Sequence, residues 1–245
     1  MNKDPVLILG GRSDIGLATA HQFAAAGHAI QLAARDVKTL GADRDDIALR
    51  HSVAVTLHEF DALDTNSHAA FLDGLEALPD VAVCAIGMLG DQDENERDLT
   101  AAIQVMRSNF EGPASILSLL ANRFEARGRG TLVGISSVAG DRGRATNYIY
   151  GSSKAGFTAF LSGLRNRLVS SNVHVVTILP GFVATRMTEG MDLPEKLTAS
   201  PQALAEAIEK AVISKKNIIY VKPIWALIMM IIRNIPEQMF KKKRI

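Results

Sequence analysis

Aliphatic residues along this chain gather into short runs at 5–9, 30–33, 53–60, 81–86, 131–135, 173–179 and 218–221. Each run has the length of a β-strand, and each gives way to glycine, proline or a polar residue. Nearly all are separated by stretches in which apolar residues recur at helical spacing, beginning with an alanine-rich helix predicted over 17–26. Strands alternating with helices predict an α/β fold: one doubly wound domain over residues 1–245, with a mainly parallel, roughly seven-stranded sheet. Ligands of such sheets bind beyond the carboxyl ends of the strands. No repeat, low-complexity tract or linker divides the chain.

The polar punctuation falls at those strand ends. After the first run comes Gly10-Gly11-Arg12-Ser13-Asp14-Ile15-Gly16, followed by the predicted helix. Strand, glycine turn, helix is a phosphate-binding order, because glycines let the backbone approach a pyrophosphate and the helix presents free N–H groups to it. Arg35 closes the second run, Asp61 and Ala62 follow the third, Gly87 the fourth, Ser136 and Ser137 the fifth, and Pro180-Gly181 the sixth.

Composition narrows the setting. Lysine and arginine number 27 against 26 acids, so no general attraction to nucleic acid is expected. The single cysteine, Cys84, excludes an internal disulfide and suits a reducing compartment; it sits in an apolar run and reads as core. The N-terminal aliphatic run is too short for a signal peptide, which predicts a cytoplasmic protein. No metal is expected.

Tyr150 and Lys154 carry the candidate chemistry. On a helix their spacing of four residues places both on one face, and a fixed cation beside a phenol favours the phenolate. Tyr148, six residues before the lysine, projects from a different face.

Taken with the glycine turn and Ser137, thirteen residues before Tyr150, this pair makes the chain resemble the short-chain dehydrogenase/reductase family over residues 4 to about 222. Asn109 in N-F-E-G fits the family's upstream asparagine, and Thr185 in P-G-F-V-A-T its cofactor-contacting threonine. The resemblance implies a Rossmann-type domain that transfers hydride between a nicotinamide cofactor and a carbonyl carbon. Tyr150 would then exchange the proton, Ser137 hold the substrate oxygen, Lys154 lower the Tyr150 pKa and hold the ribose, and Asn109 order a water. It also implies a cofactor seat of Gly10, Arg12, Ser13, Asp14, Ile15, Gly16, Arg35, Asp61, Ala62, Gly87, Pro180, Gly181, Val183 and Thr185, and a homodimer or homotetramer. A non-catalytic dinucleotide-binding regulator is the contrary reading, and a pure binding module has no need of Ser137 and Tyr150.

Two departures matter. Asp14 stands where the family has a third glycine, and is expected to cap the helix rather than face the phosphates; Cys84-Ala85-Ile86-Gly87 replaces N-N-A-G, leaving mainly backbone contacts there. Arg35 and Arg12 favour NADP(H) over NAD(H), although Asp36 follows directly.

The C-terminal part sets the substrate expectation. Residues 186–200 read as a substrate lid. Residues 223–232 form an apolar run about half the length that spans a bilayer, followed by Arg233 and Lys241-Lys242-Lys243-Arg244. Such a segment suits a membrane surface, with Trp225 and the methionines at the lipid boundary, and equally suits a partner subunit. Together with residues 59–65 and 136–142, it resembles the family's reductases of the 2-keto sugar on a polyprenyl phosphate, so the expected substrate is a carbonyl on a lipid-linked pentose. A 3-oxoacyl thioester or a small ketone is the alternative.

Overall fold

A computed structural model of the protein describes residues 3–243. Strands are β1 (Lys3–Leu9), β2 (His28–Ala34), β3 (Val55–Glu59), β4 (Val81–Cys84), β5 (Gly130–Ile135), β6 (Val173–Pro180), β7 (Phe182–Val183), β8 (Thr198–Ala199) and β9 (Ile218–Val221). Helices are α1 (Asp14–Ala25), α2 (Gly41–His51), α3 (His68–Asp73), α4 (Gln92–Asn95), α5 (Leu99–Met106), α6 (Gly112–Arg127), α7 (Tyr148–Leu168), α8 (Pro201–Ile213), α9 (Ile224–Asn234) and α10 (Glu237–Phe240). The main sheet runs β3-β2-β1-β4-β5-β6-β9, parallel throughout; β7 and β8 form a separate two-stranded ribbon. Strand order reverses between β1 and β4, the switch point at whose carboxyl ends sheets of this kind bind ligands.

Alternate residues of each strand serve opposite layers. Val6 and Ile8 join Phe23 of α1, Ile47 of α2 and Leu204 and Ile208 of α8 on one face. Leu7 and Leu9 join Ile116 and Leu120 of α6 and Phe157 and Leu161 of α7 on the other. All of these are essentially inaccessible, which accounts for uninterrupted aliphatic runs in a sheet covered on both faces.

Local chemistry places the elements that matter for function. α1 begins where it does because the Ser13 hydroxyl accepts the Gly16 N–H at 2.9 Å. β4 stops two residues short of its apolar run: the Ala85 N–H still bonds to Leu9, but its carbonyl lies 2.8 Å from where a Cβ on Gly10 would stand, so the two chains diverge there. Between α5 and α6 the chain widens into one π turn, Arg107–Glu111, where the Asn109 side chain donates to the Val105 carbonyl at 2.8 Å.

Candidate active site

The predicted serine, tyrosine and lysine converge. Ser137 follows β5, while Tyr150 and Lys154 stand on the first two turns of α7. Ser137 is 8% and Lys154 3% exposed; Tyr150 is half-buried. Ser137 lies near enough to the Tyr150 phenol to act on its ionisation, and its hydroxyl accepts the Ala139 N–H at 3.1 Å. The Lys154 ammonium lies 5.8 Å from the Tyr150 ring centre and donates to the Ile135 carbonyl at 3.0 Å. It would also lie 3.4 Å from a Cβ on Gly87, so the chain that follows β4 runs close beside it. Tyr148, by contrast, is 44% exposed at the helix start.

Electrostatics here run against one expectation. Burial pushes the Tyr150 phenol above its ordinary pKa, and the nearby Ser137 hydroxyl, not Lys154, acts to lower it. Lys154 itself is pulled down to about 8 by burial, with Cys84 opposing weakly. The Cys84 thiol is pushed up to about 11 by its own burial, as befits a core residue.

Asn109 is fully buried and its amide is spent on the backbone: it donates to Met88 O at 2.6 Å and to Val105 O, and accepts from Met88 N at 3.2 Å. The side chain therefore fixes the chain after β4 against the π turn. Ser136, adjacent to the candidate catalytic serine, donates to Lys154 O at 2.9 Å and pairs with the Thr158 hydroxyl at 2.6 Å, clamping α7 to β5.

The glycine turn fits a pyrophosphate. A side chain at Gly10 would strike Ala85, and one at Gly16 would lie 2.4 Å from Gly10 O, so the turn folds tightly and leaves its outer face open. Gly10 has φ +90, a backbone conformation natural to glycine. The first-turn N–H groups of Asp14 and Ile15 have no intrahelical acceptor. Asp14 does not cap the helix, contrary to expectation, because Ser13 holds that position. Instead its carboxylate turns to residues 186–200, the expected lid, and accepts from the Arg186 N–H at 2.7 Å and from Arg186 Nε at 2.9 Å.

At the adenosine end, Arg35 is exposed. Arg12 donates to the Arg35 carbonyl at 3.3 Å and pairs with Asp36 at 3.2 Å, so one of the two expected phosphate ligands is partly engaged by the adjacent acid. Glu59 accepts from the N–H groups of Asp36 and Val37 at 2.8 and 3.0 Å and shapes that turn. Asp61 accepts from Leu63 N at 2.9 Å, beside a buried Ala62.

At the end of β6, Pro180 pairs with Val221; beyond it, Val183 lies in the core and Thr185 caps the short helical turn Arg186–Thr188. An open hollow of about 1010 Å³ is walled mainly by residues of this segment, Thr185, Arg186 and Met191 among them, with Asp14 of α1 on its other side. Gly181 has a second role unread in the sequence: a Cβ there would stand 1.9 Å from the Trp225 indole.

The C-terminal segment is wedged between lid and catalytic loop. Trp225 donates to the Leu197 carbonyl at 3.0 Å, and Trp225 and Met229 pack against Val138 and Leu179. This corrects the placing of Trp225 and the methionines together at a lipid boundary: Trp225 and Met229 face inward, whereas Ile224, Leu227, Met230 and Ile231 are 44–58% exposed. Arg142, five residues after Ser137, donates to the carbonyls of Ile232, Arg233 and Ile235 at 3.0, 3.1 and 2.6 Å and to Glu237 at 2.7 Å. Its guanidinium stacks 3.9 Å over Phe240. Among the described residues no helix is long and apolar enough to cross a membrane. Arg244, part of the predicted basic cluster, lies outside the described residues, as do Met1 and Asn2 of the N-terminal reading.

Residues 4–196 match the short chain dehydrogenase family. An uncharacterized oxidoreductase of Mycobacterium tuberculosis is 39% identical over 226 residues, covering 91% of this chain and 89% of that one. An uncharacterized oxidoreductase of Streptomyces coelicolor is 35% identical over 240 residues, covering 97% and 94%. Among solved structures, a short-chain dehydrogenase from Sphingobium yanoikuyae in complex with NADPH superposes with a TM-score of 0.82 at 24% identity, covering 96% of this chain and 97% of that one.

The chain belongs to the short-chain dehydrogenase/reductase family and is an oxidoreductase.

Proposed function

We propose that this protein reduces a carbonyl with NADPH, and that its substrate is the 2-keto sugar of a pentose carried on a polyprenyl phosphate. The observation that carries the catalytic part is the meeting of Ser137, Tyr150 and Lys154, with the Ser137 hydroxyl acting on the phenol and a buried ammonium beside its ring. The glycine turn, Gly87 and Thr185 would hold the dinucleotide, and Arg35 with Arg12 its extra phosphate. When bound, that cofactor supplies the hydride. Ser137 orients the carbonyl oxygen by donating to it and acts to lower the pKa of the phenol, Tyr150 delivers the proton from the phenol to the same oxygen, and Lys154 would hold the nicotinamide ribose.

The lipid-linked substrate is supported by the outward apolar face of α9 and by Lys241, Lys242 and Lys243 beyond it, a pairing suited to an anionic membrane surface. Residues 59–65, 136–142 and the C-terminus resemble decaprenylphosphoryl-2-keto-ribose reductase. On this reading the protein works in the cytoplasm at the inner face of the cell membrane. The exposed face of α9 also suits a second copy of the chain, and a 3-oxoacyl thioester or small ketone would meet the same catalytic trio.

The test is NADPH consumption by purified protein with a polyprenyl-linked keto pentose, a 3-oxoacyl thioester and a small-ketone panel. Turnover of the first above the others supports the assignment. Turnover confined to the thioester or ketones moves the substrate, and no turnover of any carbonyl removes the reductase reading.

A further inference from the structure

Away from the catalytic groups, α1 and α2 bring together two histidines that stand 30 residues apart in sequence. His21 Nδ1 of α1 and His51 Nε2 of α2 are 3.2 Å apart, with the rings edge to face and 5.4 Å between their centres. Both border an open hollow of about 380 Å³, which Gln22, Asp46 and Gln202 also line. The His21 side chain is 31% exposed and His51 is half-buried, so an ion arriving from solvent through the hollow meets both rings.

The spacing of the two nitrogens suits metal ligands as well as a hydrogen bond. Two imidazole nitrogens on one tetrahedral zinc, each bonded at about 2.0–2.1 Å, lie about 3.3 Å from each other. Both must then be neutral and present a lone pair. Burial pulls the His21 pKa below its ordinary value, with Asp46 opposing, which favours the neutral ring. Asp46 Oδ2 lies 3.6 Å from the outer nitrogen of His21, Nε2, and favours the proton there, leaving Nδ1 its lone pair. Without an ion, His51 Nε2–H donates to that lone pair; when an ion binds, this proton moves to His51 Nδ1. Arg50 also lines the hollow, and both Asp46 oxygens hold it at 2.8 and 3.3 Å, so its charge is offset.

We infer that His21 and His51 form a binding site for a divalent transition-metal ion of the zinc type, which ties α1 to α2. Imidazole pairs suit such ions, and the outer carboxylate is the usual companion of a ligating histidine. No group of three histidine, cysteine or carboxylate side chains suited to a metal occurs among the described residues, so the protein supplies two ligands here and water the others. The hollow has room for those waters. Such an ion braces the helix that follows the glycine turn without entering the proposed chemistry.

The experiment titrates zinc chloride by calorimetry into the full chain, freed beforehand of metal by a chelator. One equivalent should bind, and binding should weaken by more than about tenfold in His21→Gln and in His51→Gln, and severalfold in Asp46→Asn. His174→Gln, a histidine on β6, is the control and should bind as the parent does. Zinc should also raise the melting temperature of the parent and of His174→Gln, each compared with itself without zinc, and of neither pair variant, since an ion that binds only the folded state stabilises it. His51 ends α2, so His51→Gln decides the matter should His21→Gln not fold. Absence of zinc binding by the parent leaves the pair as a hydrogen bond only and overturns the site. Equal binding by the parent and His51→Gln overturns it too, as does a loss in His174→Gln as large as in His51→Gln. None of these readings uses turnover, so the site stands or falls apart from the proposed function.

Discussion

Asp14, the first residue of α1, holds Arg186, the first residue of the lid's opening turn, by both backbone N–H and guanidinium across 172 positions of sequence. A residue that stands where the family has glycine thus fastens the lid base to the glycine turn. Arg186→Ala should leave the fold intact, because Arg186 is mostly exposed, and should loosen residues 186–200. Limited proteolysis at the lid is expected to speed up severalfold and the KM for substrate to rise, with a smaller change in NADPH binding. Unchanged proteolysis would show that the lid is held elsewhere.

Tyr150→Phe retains the ring and removes the proton. Turnover should fall by about a hundredfold to ten-thousandfold, while NADPH binding, followed by nicotinamide fluorescence, should be retained. Activity within a few fold of the unaltered protein would move the proton donor to another residue.

On the proposed function, cofactor choice turns on two adjacent residues. Arg35→Ala should weaken NADPH far more than NADH, since loss of a hydrogen bond to a charged group costs about 1.5–3 kcal/mol. Asp36→Ala should strengthen NADPH binding by releasing Arg12 from its ion pair. Dissociation constants for both nucleotides measure this, and equal losses in Arg35→Ala would reassign the adenosine end to Asp36.

Lys154 is a cation buried at a cost. Its pKa falls from 10.5 in an open chain to about 8 in the fold, so between those values the unfolded state binds the extra proton and stability rises with pH. The penalty is present in full below about pH 8 and is on the order of 3 kcal/mol. Lys154→Met should therefore be inactive yet no less stable at pH 7, and its denaturation midpoint should lack this rise between pH 8 and 10.5. A variant with the same pH slope as the parent would assign that slope to another group.

Arg142 anchors the C-terminal helices to the loop that carries Ser137. Arg142→Ala removes bonds to three carbonyls and a carboxylate as well as the stack on Phe240, and should cost about 3 kcal/mol. Arg142→Lys should recover little, because one ammonium cannot reproduce the planar fork. Urea denaturation gives the stability, and hydrogen exchange over α9 and α10 should accelerate in both variants.

Much of this was legible in the order of residues. Aliphatic runs mark strands reliably when both faces of a sheet are covered, and Tyr150 with Lys154 needed only a helix beneath them to share a face. What stayed hidden depends on partners distant in sequence. Asp14 reads as a cap until Arg186 is folded beside it, and nothing local ties Arg142 to Ile235. Residues 223–232 are apolar almost throughout, so periodicity does not say that Trp225 and Met229 turn inward while Met230 and Ile231 turn out. The raised Tyr150 pKa was missed for a related reason, since spacing gives the nearness of a charge but not the loss of water.

The contact between Gly181 and Trp225 constrains how the protein can change. Any side chain at 181 collides with the indole, and removing the indole opens a void against Leu179, Val138 and Phe182. Substitution at 181 is tolerable only after 225 has become small, so the order of the two steps is fixed. A descendant with alanine or serine at 181 would have to seat its last helix in another way or dispense with it, and position 181 would report that loss from forty-four residues upstream.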